Sequence, residues 1–368
     1  MPHHVVLFGS SLNPMTQAHL VIIRKLSETF PESEIRIVPV YKHPDPKALA
    51  PFADRVQMAV QVVEAEKQKG TLQNVVVSDI EATVYNAIYH EICWESMCST
   101  LGKSFVPNVN YATEVQNELI KLQETDEPLF KKCQDNIAKL GVRTYRLLDY
   151  LKNNEKDTEF AFAFGGDTLA ALLAGNWSKG DVIIRQCAQL IYVNRPGSEI
   201  KEIKSTSAKP EVQAAIDSAI KDGHDKFQAL AVFSANQESL QNVSSTGFRE
   251  FRDIDPDLIK TVPWGVLEYC YQNKLYGFGD DFCTDATIIA WYKAKHKISG
   301  ELVFDAIQAI NEEAQRRTAK QALAIAYTKT LIRDKNSAVS LVNLSNSFLN
   351  NATDEESPNS DRANSLNI

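Results

Sequence analysis

Six short apolar runs separated by polar or helix-like stretches constrain this chain more than any other feature. They are Val5–Phe8, Ile35–Val40, Val75–Val77, Phe160–Phe164, Gln189–Val193 and Ala229–Phe233. Each is short enough for a strand and too short for a buried helix. Between them lie helical patterns, among them Leu20–Phe30 and Phe52–Gln68, the latter with Phe52, Val56, Val60 and Val63 expected on its buried face. Buried strands alternating with amphipathic helices predict an α/β fold built on a doubly wound parallel sheet. Such sheets take their ligands beyond the carboxyl ends of the strands. The polar residues that follow each strand are therefore the candidates for chemistry.

Two regions break the alternation. Residues 84–140 carry Trp94, three cysteines and a charged, helix-like run over Glu114–Leu140, which predicts a helical insert in a main domain spanning 1–279. From 280 to 350 the pattern is again helical, with Leu302, Val303, Ala306, Ile307 and Ile310 on one stripe. That stretch reads as a C-terminal extension, and 351–368 as a disordered polar tail. A net charge of −8 argues against a broad nucleic-acid or anionic-membrane surface. No apolar run approaches the ~18 residues of a membrane span, and no signal peptide is visible. The six cysteines form no CxxC pair and no zinc-type spacing, so no metal site of the protein's own is expected. Scattered thiols predict a reducing, cytoplasmic setting. Assembly into a homo-oligomer is left open.

Two stretches bear the marks of anion binding. In "FGSSLNPMTQAHL", residues 8–20, a strand ends in Gly9-Ser10-Ser11 and a helix begins near Thr16. Backbone amides at a helix start, and the positive end of its dipole, suit a phosphate. His19 lies three residues beyond Thr16, on nearly the same face. The plain alternative is that Thr16 merely caps the helix and His19 packs. In "NVSSTGFREF", residues 242–251, Ser244 or Ser245 is a plausible cap and Arg249 follows within about a turn. Two such starts, far apart in sequence, suggest a polyphosphate held between them.

"GSSLNPMTQAH" resembles the (G)xFNPxxxxH signature of the nucleotidyltransferase superfamily, and "VSSTGFR" resembles its ISSTxxR motif. More narrowly, the chain is similar to the nicotinamide/nicotinic acid mononucleotide adenylyltransferases. "PVYKHPDPKALAPFADRVQMA", "FAFGGDTLAALLAGNW", "YVNRPG" and "VPWGVLEYCYQNKLYGF" follow in that family's order, so the likeness runs over about residues 3–278. Thr16 stands where many bacterial members have the first histidine of HxGH, which matches the family's TxxH form. Leu12 replaces a usual phenylalanine, and "GVRTYRLLDYL" only loosely echoes the substrate-side segment.

The resemblance implies a Rossmann-like nucleotidyltransferase fold and adenylyl transfer from ATP, accompanied by Mg²⁺, to a pyridine mononucleotide. It implies that His19, Thr16, Lys47 and Arg249 act on the reacting phosphates. Phe8, Gly9, Gly165, Asp167, Ser244, Ser245 and Thr246 would hold ATP. Ser10, Asn13 and Trp177 would lie on the mononucleotide side. Read as residues alone, Asp167 could simply cap its helix, Trp177 could be core, and Arg55 could be an exposed helix residue or a structural partner of the site. The alternatives are another phosphate acceptor, such as pantetheine phosphate or a flavin, or a nucleotide-binding regulator with little catalysis.

Overall fold

The computed structural model describes residues 3–43, 48–194, 209–221, 226–233, 243–250 and 261–277. Six strands form one parallel sheet: β1 (His3–Ser10), β2 (Glu34–Pro39), β3 (Val75–Val77), β4 (Thr158–Gly165), β5 (Gln189–Val193) and β6 (Phe227–Leu230). Their order is β3-β2-β1-β4-β5-β6, the doubly wound arrangement that the alternation predicts. β1 is central, with Phe8 opposite Ile37 of β2 on one side and Ala163 of β4 on the other. The chain leaves β1 in one direction and β4 in the other, so a crevice opens between their carboxyl ends.

Side-chain alternation along the strands divides the core between two faces. Val5 and Leu7 of β1 join Phe160, Phe162 and Phe164 of β4 in one cluster. Helices α3 (Ile80–Leu101), α6 (Thr144–Asn154), α7 (Gly166–Leu173), α8 (Gly180–Gln186) and α9 (Pro210–Lys221) cover that cluster. The intervening Val6 and Phe8 are also buried, on the face left to α1 (Gln17–Thr29) and α2 (Phe52–Gln68). Helices on both faces make the doubly wound, Rossmann-like α/β fold.

Two expectations shift in detail. The buried face of α2 carries Arg55, Met58, Ala59, Val62, Val63 and Glu66, whereas Phe52, Val56 and Val60 are only half-buried. A buried arginine and glutamate, each with polar partners, rotate the helix away from its apolar stripe. β6 ends at Leu230 rather than Phe233, because its register with β5 stops where β5 stops, at Val193 opposite Leu230.

The insert is helical, but it does not begin as a separate body. α3 starts three residues after β3 and runs unbroken for 22 residues. Val84 and Tyr85 of its first half, and Ile92 just past its midpoint, pack into the main core. Its second half packs Cys93 and Met97 against Tyr111, Val115, Leu122 and Cys133, with α4 (Ala112–Thr125) and α5 (Glu127–Ala138) supplying the last three. Trp94 stacks on Tyr111 at 5.5 Å. The Asp126 side chain accepts from Leu129 N–H, so the run expected as one helix breaks there into two. Cys93, Cys98, Cys133, Cys187 and Cys270 are all buried.

The chain divides into two compact units, Met1–Asn242 and Val243–Ile368. In the second, α10 (Ser245–Glu250) and α11 (Trp264–Gln272) are described, with Phe248 edge-on to Tyr276 at 6.3 Å. The expected extension over 280–350, the tail over 351–368, Cys283 and the "RPG" of "YVNRPG" lie outside the described residues. No described helix is long and apolar enough to cross a membrane.

Candidate active site

Gly9 to Thr16 leave β1 at the crevice and enter α1. Thr16 is the N-cap, with extended backbone and a side chain that is fully buried. Its hydroxyl accepts from His19 N–H at 3.5 Å, and its own N–H donates to His19 Nδ1 at 3.1 Å. This is a capping box in which histidine takes the place usually held by Glu or Gln. The reciprocal bond has a chemical consequence. The Thr16 hydroxyl lies 2.7 Å from the same Nδ1, and a ring whose Nδ1 accepts from the backbone amide is the tautomer that carries its proton on Nε2. Nε2 lies 3.1 Å from Ser10 Oγ, beside the end of β1. The two ring nitrogens thus face different ways: Nδ1 closes the helix, and Nε2 faces Ser10 at the end of β1. Thr16→Val, which keeps the shape and removes the hydroxyl, is expected to lower unfolding free energy by about 1 kcal/mol in urea titrations.

The loop itself is strained and tightly held. Leu12 has φ of 44° with its side chain fully buried, a left-handed conformation costing about 1–2 kcal/mol for a branched residue. Asn13, 1% exposed, spends both ends of its amide on backbone: Nδ2 donates to Ala48 O and Oδ1 accepts from Ala50 N–H, each at 2.9 Å. It therefore braces the loop against the approach to α2. Arg55, also 1% exposed, donates to Ser11 O at 2.8 Å, Ala50 O at 2.9 Å and Tyr41 O at 3.3 Å. Behind it Glu81, in the first turn of α3, accepts from Tyr41 N–H. Burial pushes the Glu81 carboxyl up to about 8, against the opposing pull of the Tyr41 amide and the Arg55 charge. Arg55 is thus a structural partner of the site, and Glu81 is a member that the sequence pattern did not reveal.

Across the crevice, β4 runs into α7 at Gly165-Gly166-Asp167. A Cβ on Gly165 would collide with Asp167 Oδ1, so glycine lets that carboxylate fold back over the strand end. Asp167 is exposed in the first turn of α7 and does not cap it: the N-cap is Gly165, with no side-chain cap bond. Gly9 faces Phe162, whose Cζ would lie 2.9 Å from an added Cβ. Phe8 is buried edge-on to His19, with ring centroids 6.3 Å apart. Trp177 is half-buried against Phe164 at 6.3 Å, with one part in the core and one part accessible. The β1 and β4 ends thus bring Phe8, Gly9, Ser10, Thr16 and His19 to the crevice shared with Gly165 and Asp167.

In the second unit, Ser244 is the cap of α10: its Oγ accepts from Gly247 N–H at 3.0 Å. Arg249 donates to Thr246 Oγ1 at 3.2 Å, which aligns both on one side of that turn. Ser244 and Thr246 are exposed, and Ser245 and Arg249 are half-buried. Lys47 lies outside the described residues. Among the described residues no three His, Cys, Asp or Glu side chains gather as a metal cluster.

The chain is similar to known proteins at several levels. A 54-residue segment is 41% identical to a protein of Anaeromyxobacter dehalogenans named "Probable nicotinate-nucleotide adenylyltransferase", covering 15% of this chain and 29% of that protein. Two solved structures of the Plasmodium falciparum nicotinic acid mononucleotide adenylyltransferase, complexed with APC and with NaAD, align over 75% of this chain and 98% of theirs. Their identities are 16% and 17%, and their TM-scores 0.46 and 0.47. The family described as cytidylyltransferase-like matches residues 7–251, a span that opens midway along β1 and closes just past Arg249. With both anion motifs inside that span and the loop of the first at the sheet's crevice, the chain belongs to the cytidylyltransferase-like family of nucleotidyltransferases.

Proposed function

We propose that this protein transfers the adenylyl group of ATP to a pyridine mononucleotide, forming the dinucleotide and pyrophosphate. The observation that carries this reading is the His19 ring, held by its cap through Nδ1 with Nε2 3.1 Å from Ser10 Oγ at the end of β1. An oxygen of the mononucleotide phosphate attacks the α-phosphorus of ATP, and the bond from that phosphorus to the β-phosphate oxygen breaks. No protein nucleophile is required, so the chain's part is positioning and charge stabilisation. His19 Nε2–H donates to the transferring phosphate, with the Ser10 hydroxyl and the Gly9 backbone beside it. Gly165 and Asp167 receive the adenosine ribose. From the resemblance of their motifs, Ser244, Ser245, Thr246 and Arg249 are assigned to the β- and γ-phosphates and Lys47 to the reacting phosphates, and Trp177 presents its accessible side to the pyridine ring. Mg²⁺ enters with ATP as part of the substrate and neutralises charge on the departing pyrophosphate.

The test is direct. Pure protein with ATP and Mg²⁺ is given nicotinate mononucleotide, nicotinamide mononucleotide, pantetheine phosphate or flavin mononucleotide. Dinucleotide with either pyridine substrate supports the reading. Product only with another acceptor moves the enzyme within its family, and ATP binding without product from any acceptor favours a regulator. Arg249→Ala is expected to raise KM for ATP by about 10–100-fold, the value of one charge-assisted contact. An unchanged KM would remove the arginine from the triphosphate site.

A further inference from the structure

We infer that Arg55, which touches neither substrate, is a positioning residue of the transfer reaction, an inference that rests on the adenylyl-transfer reading. Its guanidinium joins three separate stretches of backbone: the loop after β1 at Ser11, the stretch after β2 at Tyr41, and the approach to α2 at Ala50. A planar fork can address carbonyls in diverging directions, whereas a lysine ammonium offers only a point. The Phe52 ring lies 5.5 Å from the guanidinium carbon, and Glu81 faces it from α3. Asn13 supplies the second tie between the same stretches, at Ala48 and Ala50.

These ties meet on either side of Leu12, the one strained residue between Gly9 and His19. A left-handed, buried leucine persists only where its surroundings over-determine it. If Ser11 O lost its partner, Leu12 could relax toward an ordinary φ. Ser10 would then shift relative to His19 Nε2, which is anchored independently through Thr16. The group that donates to the phosphate and the loop that receives it would lose their register without either being mutated. A displacement of about 1 Å between reacting groups is enough to cost about 100-fold in rate.

The test begins by measuring dinucleotide formation by the wild-type enzyme. If that is absent, the adenylyl-transfer reading fails, whatever Arg55 does. With an active wild type, Arg55→Lys is expected to fold and to lose about 100-fold in kcat, with KM for both substrates held within about threefold. Arg55→Ala is expected to lose at least as much and to regain about tenfold in millimolar guanidinium, but not in equimolar urea or sodium chloride. Folded Arg55→Lys with wild-type kcat would overturn the inference, as would a loss confined to KM. Failure of both variants to fold would also overturn it, because the side chain would then be a folding requirement and nothing more.

Discussion

His19→Ala is expected to lower kcat by about 10²–10³-fold, the usual effect of deleting one preorganised donor to a developing oxyanion. The same substitution removes the acceptor for the buried Thr16 N–H and should cost about 1–2 kcal/mol of stability. Alanine alone therefore mixes two effects, but two amide substitutions separate them. In His19→Asn a short side-chain oxygen can take the place of Nδ1 and keep the cap, but nothing reaches the position of Nε2. In His19→Gln the longer amide extends toward Ser10 but leaves the cap poorly closed. Asn is expected to retain the wild-type urea midpoint and lose the full 10²–10³-fold. Gln is expected to be the less stable of the two and the more active. If His19→Asn turned over within threefold of wild type, Nε2 would have no part in the chemistry.

Glu81→Gln should stabilise the protein, and increasingly so as pH rises. A carboxyl that ionises near 4.5 when unfolded but is held up to about 8 when folded binds its proton more tightly in the native state. Its favourable contribution is complete below pH 4.5 and is lost as pH climbs through about 8. The span from 4.5 to about 8 corresponds to a ceiling of about 5 kcal/mol. Glutamine keeps an oxygen for Tyr41 N–H and never ionises. Urea unfolding at pH 5, 7 and 9 should therefore show a gap between variant and wild type that is small at first and widens to several kcal/mol. Parallel stability curves would mean that Glu81 titrates elsewhere.

The parts of the fold legible in the sequence were those written in apolar periodicity. Val75–Val77 and Gln189–Val193 are read directly as strands, because a strand buried on both faces needs an unbroken apolar run. The helix face that included Val56 and Val60 was misread because periodicity assumes that charge faces water. On α2, Arg55 is turned inward by three backbone carbonyls, and Glu66 by Arg24 and Thr71. Thr16 and His19 were legible as a spacing that suits both a cap and an anion site, and the structure shows the cap, with the histidine as its second member. Asn13 carries a bracing role that its position in the motif does not announce, because only the return of the chain at Ala48 and Ala50 brings its amide those backbone partners. Glu81 carried no signal, since an acidic residue in the first turn of a helix is ordinary.

The unbroken course of α3 bears on how the insert could have arisen and how it could be removed. A cassette placed in a loop leaves its host intact when cut out. Here the host and the addition share one rod of 22 residues, about 33 Å long. Glu81 sits at its base and Met97 near its far end, with Arg146 of α6 riveted to Glu91 and Glu95 between them. Trimming from residue 84 would take away those rivets and most of the helix that presents Glu81. A shorter relative would be expected to lose the outer turns together with α4 and α5, and to rejoin the chain ahead of α6 only by keeping the inner ones. Growth by lengthening a helix, rather than by widening a loop, leaves this protein without a clean seam.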